Sequence, residues 1–241
     1  MDGRMNAAIL TVGDELLAGD VENTNATWLA SRLADRGVVV GEIRVVPDDA
    51  ALIATAVREF TDRFDATIVT GGLGSTPDDV TLEGVARAFD VSLERDDEVR
   101  SAVEATVSDI RDEYPQFEFD LEEAARYPSE GRIVPNEEGI APGWVIANVY
   151  IVPGLPAEMK ATFGAIVDEF DGERRTETVY SSEPESHLNE LLETVRDRFD
   201  VTVGCYPGAD RKRITLSSDD ADRLEQATDW MTSRSEIDAT E

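Results

Sequence analysis

Ala66-Thr-Ile-Val-Thr-Gly-Gly-Leu-Gly-Ser-Thr-Pro-Asp-Asp-Val-Thr81 is the stretch on which the fold turns. Ala66–Thr70 is short, apolar and β-branched, the pattern of a buried strand. It empties into a loop with three glycines in four positions, Gly71 to Gly74. A helix resumes at about Thr81, with Leu82, Val85, Ala86 and Phe89 inward. Strand, glycine loop and helix in that order form part of a β-α-β chain, and the sequence upstream supplies the rest. Apolar Ala7–Val12, bounded by Gly13, reads as a first buried strand. Thr24–Arg36 carries Trp28, Leu29 and Leu33 at helical spacing, with Asn23 as N-cap candidate and Gly37 as the stop. Val38–Val46 reads as a second strand. Asp48 or Asp49 can cap the following helix, whose Leu52, Ile53, Ala56, Val57, Phe60 and Phe64 form one apolar stripe. Strands alternating with helices through short loops imply an α/β domain with a mostly parallel sheet and right-handed crossovers.

Downstream, Asp97–Asp112 reads as a polar helix and Phe119–Arg126 as a further one. Residues 127–143, rich in Pro, Gly, Glu and Asn, read as a long loop. Trp144–Val152 is a strand or hairpin, Pro153–Pro156 a tight turn and Ala157–Phe170 a helix. After Asp171-Gly172-Glu173 the pattern changes to β-α-β-β-α through about Thr232, a small α+β module. The boundary falls near Gly172, giving domains over 1–172 and 173–241.

Composition narrows the function. The 241 residues hold 52 acidic and 22 basic side chains, a net charge of −30, and only two of the basic ones, Lys160 and Lys212, are lysines. Such self-repulsion is tolerated where salt screens it, so the chain reads as halophilic. The same field repels phosphate backbones, which disfavours nucleic-acid binding. The second module, with 9 basic and 17 acidic residues, shares that bias and lacks a GxxG loop. No apolar run approaches a membrane span and no signal peptide is evident, so a cytoplasmic protein is expected. One cysteine, Cys205, and one histidine, His187, leave no disulfide, zinc-finger, Ser-His-Asp or Cys-His chemistry.

The chemistry therefore rests on glycines and carboxylates. Gly71-Gly-Leu-Gly74 admits close backbone approach and can present consecutive N–H groups to a phosphate. Its bland alternative is a tight β-α turn. Asp78 and Asp79 beside such a cradle would repel an anion unless a cation lies between them; their alternative role is helix capping. Gly13-Asp14-Glu15 and Val46-Pro47-Asp48-Asp49 end the other two strands on the same side, where open α/β sheets bind ligands. Neither GxGxxG nor GxxxxGK[ST] is present.

These residues resemble a known family. Val12-Gly-Asp-Glu-Leu-Leu-Ala-Gly19, Asn23-Thr-Asn25, Val46-Pro-Asp-Asp49, the loop Thr70–Thr81, Asn136, Ala141-Pro-Gly143 and Pro153-Gly-Leu-Pro-Ala-Glu-Met-Lys160 look like the competence/damage-inducible CinA family. The resemblance covers about residues 7–170. It implies a three-layer MogA/MoaB-like molybdopterin-binding domain followed by a small KH-like α+β module. Ser75 stands where members usually have Pro. The nicotinamide-mononucleotide deamidase domain of full-length members has no counterpart in the 241 residues, so deamidase activity is not expected.

The resemblance further implies a choice of chemistry at one site. CinA-type domains hydrolyse the diphosphate of ADP-ribose and its relatives, including FAD in similar eukaryotic domains, with a divalent metal (Mg²⁺, Mn²⁺ or Co²⁺) and often K⁺. MogA-type domains bind molybdopterin and attach AMP to its phosphate. The expected function is a metal-dependent pyrophosphatase on ADP-ribose-like nucleoside diphosphates. The alternative is a non-catalytic molybdopterin- or nucleotide-binding protein, or one resembling a molybdopterin adenylyltransferase. Asp48 and Asp79 match the family's functional aspartates and are the catalytic candidates, with Asp78 and Asp79 at the metal. Gly71, Gly72, Leu73, Gly74, Ser75 and Thr76 would hold phosphate. Asp14, Glu15, Asn25, Pro142, Gly143, Pro153, Gly154 and Glu158 would contact the rest of the ligand, and Trp144 could reach a ring. The partner is a small nucleotide or pterin, and a homo-oligomer is expected.

Overall fold

In a computed structural model, residues 5–74 and 76–238 are described, and Ser75 lies outside them. The chain divides into two compact units that meet at Asp171/Gly172.

The first unit is organised by β1 (Asn6–Val12), which is almost wholly buried and pairs in parallel with both β2 (Val39–Val46) and β3 (Ala66–Thr70). Side chains alternate along it. Ala8, Leu10 and Val12 face a layer built from α3 (Ala50–Arg63), α4 (Thr81–Phe89) and α5 (Asp97–Glu113), while Ala7 and Ile9 face α2 (Thr24–Asp35) and α7 (Pro156–Ile166). Period-2 alternation on a strand buried on both faces gives three layers, helices over sheet over helices. The sheet is completed by β6 (Arg132–Val134), β7 (Gly143–Ile146) and β8 (Val149–Val152) in the order β2-β1-β3-β8-β7-β6, with only β7 running against the rest. The chain leaves β1 toward β2 on one side and returns to β3 on the other, so strand order reverses beside β1 and opens a crevice at the carboxyl ends.

The caps follow the sequence. Asn23 accepts from the Ala26 N–H, and Asp49, not Asp48, caps α3 through the Ala51 and Leu52 N–H groups. Asp48 is thereby left for other work. Four features differ from the expectations. Asp14 and Glu15 begin a short helix, α1 (Asp14–Ala18), rather than a loop. Leu93–Arg95 forms β4, paired with β5 (Arg126–Pro128). The helix expected over 119–126 shrinks to α6 (Leu121–Ala124), and residues 127–143 contribute β6 to the main sheet instead of looping over it. Three-residue strands carry too few side chains for a period, and they form because a neighbour offers a free edge.

In the second unit, β9 (Arg175–Ser181), β10 (Thr202–Tyr206) and β11 (Lys212–Ser218) form an antiparallel sheet in the order β10-β11-β9. Val179, Ile214 and Leu216 pack on Leu188 and Val195 of α8 (Glu185–Phe199) and Leu224 and Met231 of α9 (Ala221–Thr232). No described helix is long and apolar enough to cross a membrane.

Most arginines already sit against carboxylates. Arg44 bonds Glu59 and Glu42, and Arg63 bonds the same two acids. These half-exposed pairs stabilise little, about 0–1 kcal/mol each, and they leave the net −30 uncompensated. The melting temperature is therefore expected to climb steeply between about 0.1 and 2 M KCl, as the screening length falls from ~10 Å to below ~3 Å. A flat profile in thermal denaturation would remove the halophile reading.

Candidate functional site

The register places the carboxyl ends of four strands together: Val12 pairs with Val46, Thr11 with Thr70, and Thr70 with Val152. The loops that follow surround one cleft of about 1350 Å³. Gly71 and Gly72 have φ of +106° and +63°, conformations that side chains resist. A Cβ on Gly71 would lie 2.2 Å from the Val12 carbonyl, and one on Gly72 2.4 Å from the Thr81 hydroxyl. Glycine is thus required for the loop to fold back over β1. Thr81 clamps that shape, its hydroxyl donating to the Gly71 carbonyl at 2.8 Å and its N–H to the Gly72 carbonyl at 3.2 Å. Among the described residues, nothing accepts the N–H groups of Gly72, Leu73 and Gly74. Three successive donors at a strand end form a concavity suited to an anion.

Asp79 holds the other end of the loop. Its Oδ2 accepts from the Thr76 N–H at 2.9 Å and the Thr76 hydroxyl at 2.6 Å, and it lies where a Gly74 side chain would stand. Asp78 is exposed, and hydrogen-bond donors beside it, at Thr76 first and then its own backbone N–H, hold its carboxyl below the ordinary range. Asp48 accepts from the Asp14 N–H at 2.9 Å. Burial pushes the Asp48 carboxyl above its usual value despite that bond, and the charges of Asp14, Glu15 and Asp78 push the same way. A carboxyl raised by folding stabilises the fold at low pH and loses that contribution as pH rises through the raised value. Asp48→Asn is accordingly expected to raise the melting temperature by about 1–3 °C at pH 7, with the gain vanishing toward pH 3. Melting curves across pH test this, and a gain that grows on acidification would contradict it.

On the opposite wall, Asn25 donates through Nδ2 to the Gly154 carbonyl at 2.6 Å and to Thr70 Oγ1 at 3.3 Å, while Thr70 donates to the Pro153 carbonyl at 2.8 Å. Glu158 is held by Asn136 Nδ2, 2.8 Å from its Oε2. Gly71, Gly72, Leu73, Gly74, Thr76, Asp78, Asp79, Asp48, Glu15, Asn25, Pro153, Gly154 and Glu158 all line the cleft. Asp14 borders it only through its bond to Asp48. Pro142 and Gly143 do not line it. They are buried, the Pro142 carbonyl accepts from the Tyr127 hydroxyl at 2.9 Å, and Gly143 is packed against the Ile151 carbonyl. Trp144 is likewise buried, with its indole N–H bonded to the Glu130 carbonyl, and does not reach the cleft. The expected phosphate contact at Ser75 falls outside the described residues. Sequence reading missed Thr70 and Thr81 as braces and the wall formed by Phe119 and Tyr127. The two threonines flank the glycine loop in the quoted stretch, whereas nothing local marks the wall.

Nine cleft-lining residues are carboxylates and two are arginines. Both arginines are paired, Arg87 with Glu83 and Arg126 with Glu123. Among the described residues, no group of three or more His, Cys, Asp or Glu is gathered as a metal cage.

The family described as "Probable molybdopterin binding domain" matches residues 8–171, and "FAD synthase, middle domain" matches residues 174–240. A protein of Archaeoglobus fulgidus is 36% identical over 225 residues, covering 92% of this chain and 95% of that one. A CinA-like protein of Frankia casuarinae is 44% identical over 68% of this chain, which spans 39% of that protein's length. The crystal structure of a CinA protein from Thermoplasma acidophilum, described as of unknown function, superposes with a TM-score of 0.61 at 32% identity, covering 70% of this chain and 99% of that one. The chain therefore belongs to the CinA family, and its first unit is a molybdopterin-binding domain with the MoaB/MogA-like α/β fold and its mostly parallel sheet.

Proposed function

We propose that the chain is a metal-dependent pyrophosphatase acting on ADP-ribose-like nucleoside diphosphates. The observation that carries this reading is that the Gly72, Leu73 and Gly74 N–H groups have no acceptor among the described residues, in a loop that lines one cleft together with Asp48, Asp78 and Asp79. The donors suit one phosphate, and the surplus of carboxylates means that a diphosphate enters only with a cation. The residues fit such a group although they form no cage of their own. Mg²⁺ is commonly held by one or two carboxylates together with substrate phosphates and water. Asp78 and Asp79 are the protein's share of that set, and a divalent ion bound there supplies neutralisation of the phosphate oxygens. The loop amides hold the phosphate that leaves. Asp48, raised toward basicity and free of capping duty, accepts a proton from the attacking water. The new bond joins that oxygen to one phosphorus, the bridging P–O bond breaks, and the bridging oxygen departs with the other phosphate, so ADP-ribose gives AMP and ribose 5-phosphate. The FAD synthase likeness over residues 174–240 supports a nucleoside-diphosphate context. A homo-oligomeric state belongs to the same reading.

The family's molybdopterin description favours a second reading, a molybdopterin carrier or adenylyltransferase-like protein. Full-length chain in molar KCl, with Mg²⁺, Mn²⁺ or Co²⁺, is offered ADP-ribose, FAD, NAD and molybdopterin. Release of AMP from ADP-ribose is expected. No turnover of any diphosphate, with a thermal shift from molybdopterin alone, would overturn the first reading for the second.

A further inference from the structure

Arg211-Lys212-Arg213 is the one run of three basic residues in a chain of net charge −30. It leads into β11, the central strand of the second unit's sheet. Strand pairing fixes what each face of that sheet carries. Val179, Ile214 and Leu216 lie on the side that α8 and α9 cover. The other side carries the cross-strand row Tyr206–Arg213–Tyr180 and, beyond it, only Gly204 and five Ser or Thr residues. None of these nine paired positions is acidic, although 52 of the 241 residues are, so the face is kept clear of the charge that dominates the chain.

The two arginines on this face are held by rings rather than by acids. The Arg213 guanidinium carbon lies 4.9 Å from the centre of the Tyr206 ring, and that of Arg211 lies 5.0 Å from the Tyr180 ring. Among the described residues, neither side chain makes an ion pair or a hydrogen bond. A guanidinium set over a ring keeps its N–H edge for an oxyanion, with its orientation already fixed. Tyr206 is 47% exposed, and a Cβ on Gly204 would lie 2.8 Å from its ring, so the glycine leaves the space in which the tyrosine rests on the sheet. We infer that this face binds single-stranded nucleic acid without sequence preference. Unstacked bases lie on the ring and guanidinium planes, and phosphates take the free N–H edges.

The two tyrosines stand two inter-strand spacings apart, about 10 Å, so one base can lie on only one of them and a strand is needed to use both. An acidic peptide would satisfy the arginines and leave the rings unused. The chain's negative field opposes phosphates at long range, but molar salt shortens its reach to ~3 Å and leaves the groups in contact to decide. The inference stands on the second unit alone and does not draw on the pyrophosphatase reading.

The test uses the full chain in molar KCl and an end-labelled oligothymidylate of about 12 nucleotides, followed by fluorescence anisotropy. Binding is expected with a Kd below about 1 mM. The duplex with oligodeoxyadenylate hides its ring faces, and an oligoglutamate of the same charge has none. Each is expected to bind at least about tenfold more weakly. Tyr206→Ala and Arg213→Gln should each weaken the single strand about 5-fold or more, whereas Tyr206→Phe keeps the ring and the affinity. Arg198→Gln, which removes a ring-stacked arginine of α8 away from this face, should change nothing. Melting curves identify the variants that fold. Absence of binding, equal binding of duplex or peptide, wild-type affinity in a folded Tyr206→Ala or Arg213→Gln variant, or an equal loss in Arg198→Gln overturns the inference.

Discussion

Asp79→Asn is expected to lower turnover of ADP-ribose by about 10²–10³-fold, the loss that follows removal of one transition-state contact of ~3–4 kcal/mol. The structure offers a competing account, because Asp79 also staples the loop through Thr76. Asparagine separates the two roles. It keeps an oxygen that accepts from Thr76 and loses only the charge, while Asp79→Ala loses both. If the charge matters, both variants are inactive and the Asn variant melts like wild type. If Asp79 is a staple alone, the Asn variant keeps its activity and only the Ala variant fails. Asp20→Asn, on an exposed residue outside the cleft lining, is the control, and equal activity of Asp79→Asn and Asp20→Asn would remove Asp79 from the chemistry.

Gly71→Ala is expected to cost on the order of 3–5 kcal/mol and to lower the melting temperature by about 6–20 °C. The Cβ would have to be held at φ +106° and 2.2 Å from the Val12 carbonyl, where the neighbouring inner strands β1 and β3 end. Neither β1 nor β3 can retreat, since both are buried and hydrogen-bonded on two sides. Gly164→Ala makes the contrast. That position is an exposed turn of α7 with nothing within 4 Å of the added carbon, so alanine there should stabilise by about 0.5–1 kcal/mol. Thermal denaturation in molar salt measures both, and a loss below about 1 kcal/mol for Gly71→Ala would show that the loop relaxes freely.

Much of the candidate site is legible in the chain because it lies in contiguous strings at strand ends. The glycine loop, Asp48, Asn25 and Pro153-Gly154 each announce themselves by a change from apolar strand to Gly, Pro, Asn or Asp. Pro142 and Gly143 carry the same signal yet lie outside the cleft lining. Their string looks like a loop at a ligand, yet Gly143 is glycine because the Ile151 carbonyl and the Thr162 side chain crowd it within the sheet and its helical cover. A glycine demanded by packing and one demanded by a ligand look the same in one sequence.

The alternation of strands and helices, the cap at Asn23, the glycine loop and the excess of negative charge can be read from the chain alone. Each is set by interactions within a few residues or by simple summation. That β6 joins the sheet beyond β7, that Asp48 answers to Asp14 rather than capping α3, and that Asp79 is tied back to Thr76 emerge only in the folded chain. Residues as far apart as Leu82 and Ile140 are likewise brought to one cleft only by the folded chain. Those outcomes depend on groups brought together from separate segments, or on which of several hydrogen bonds within a loop prevails. Hydrophobic periodicity carries no information about either.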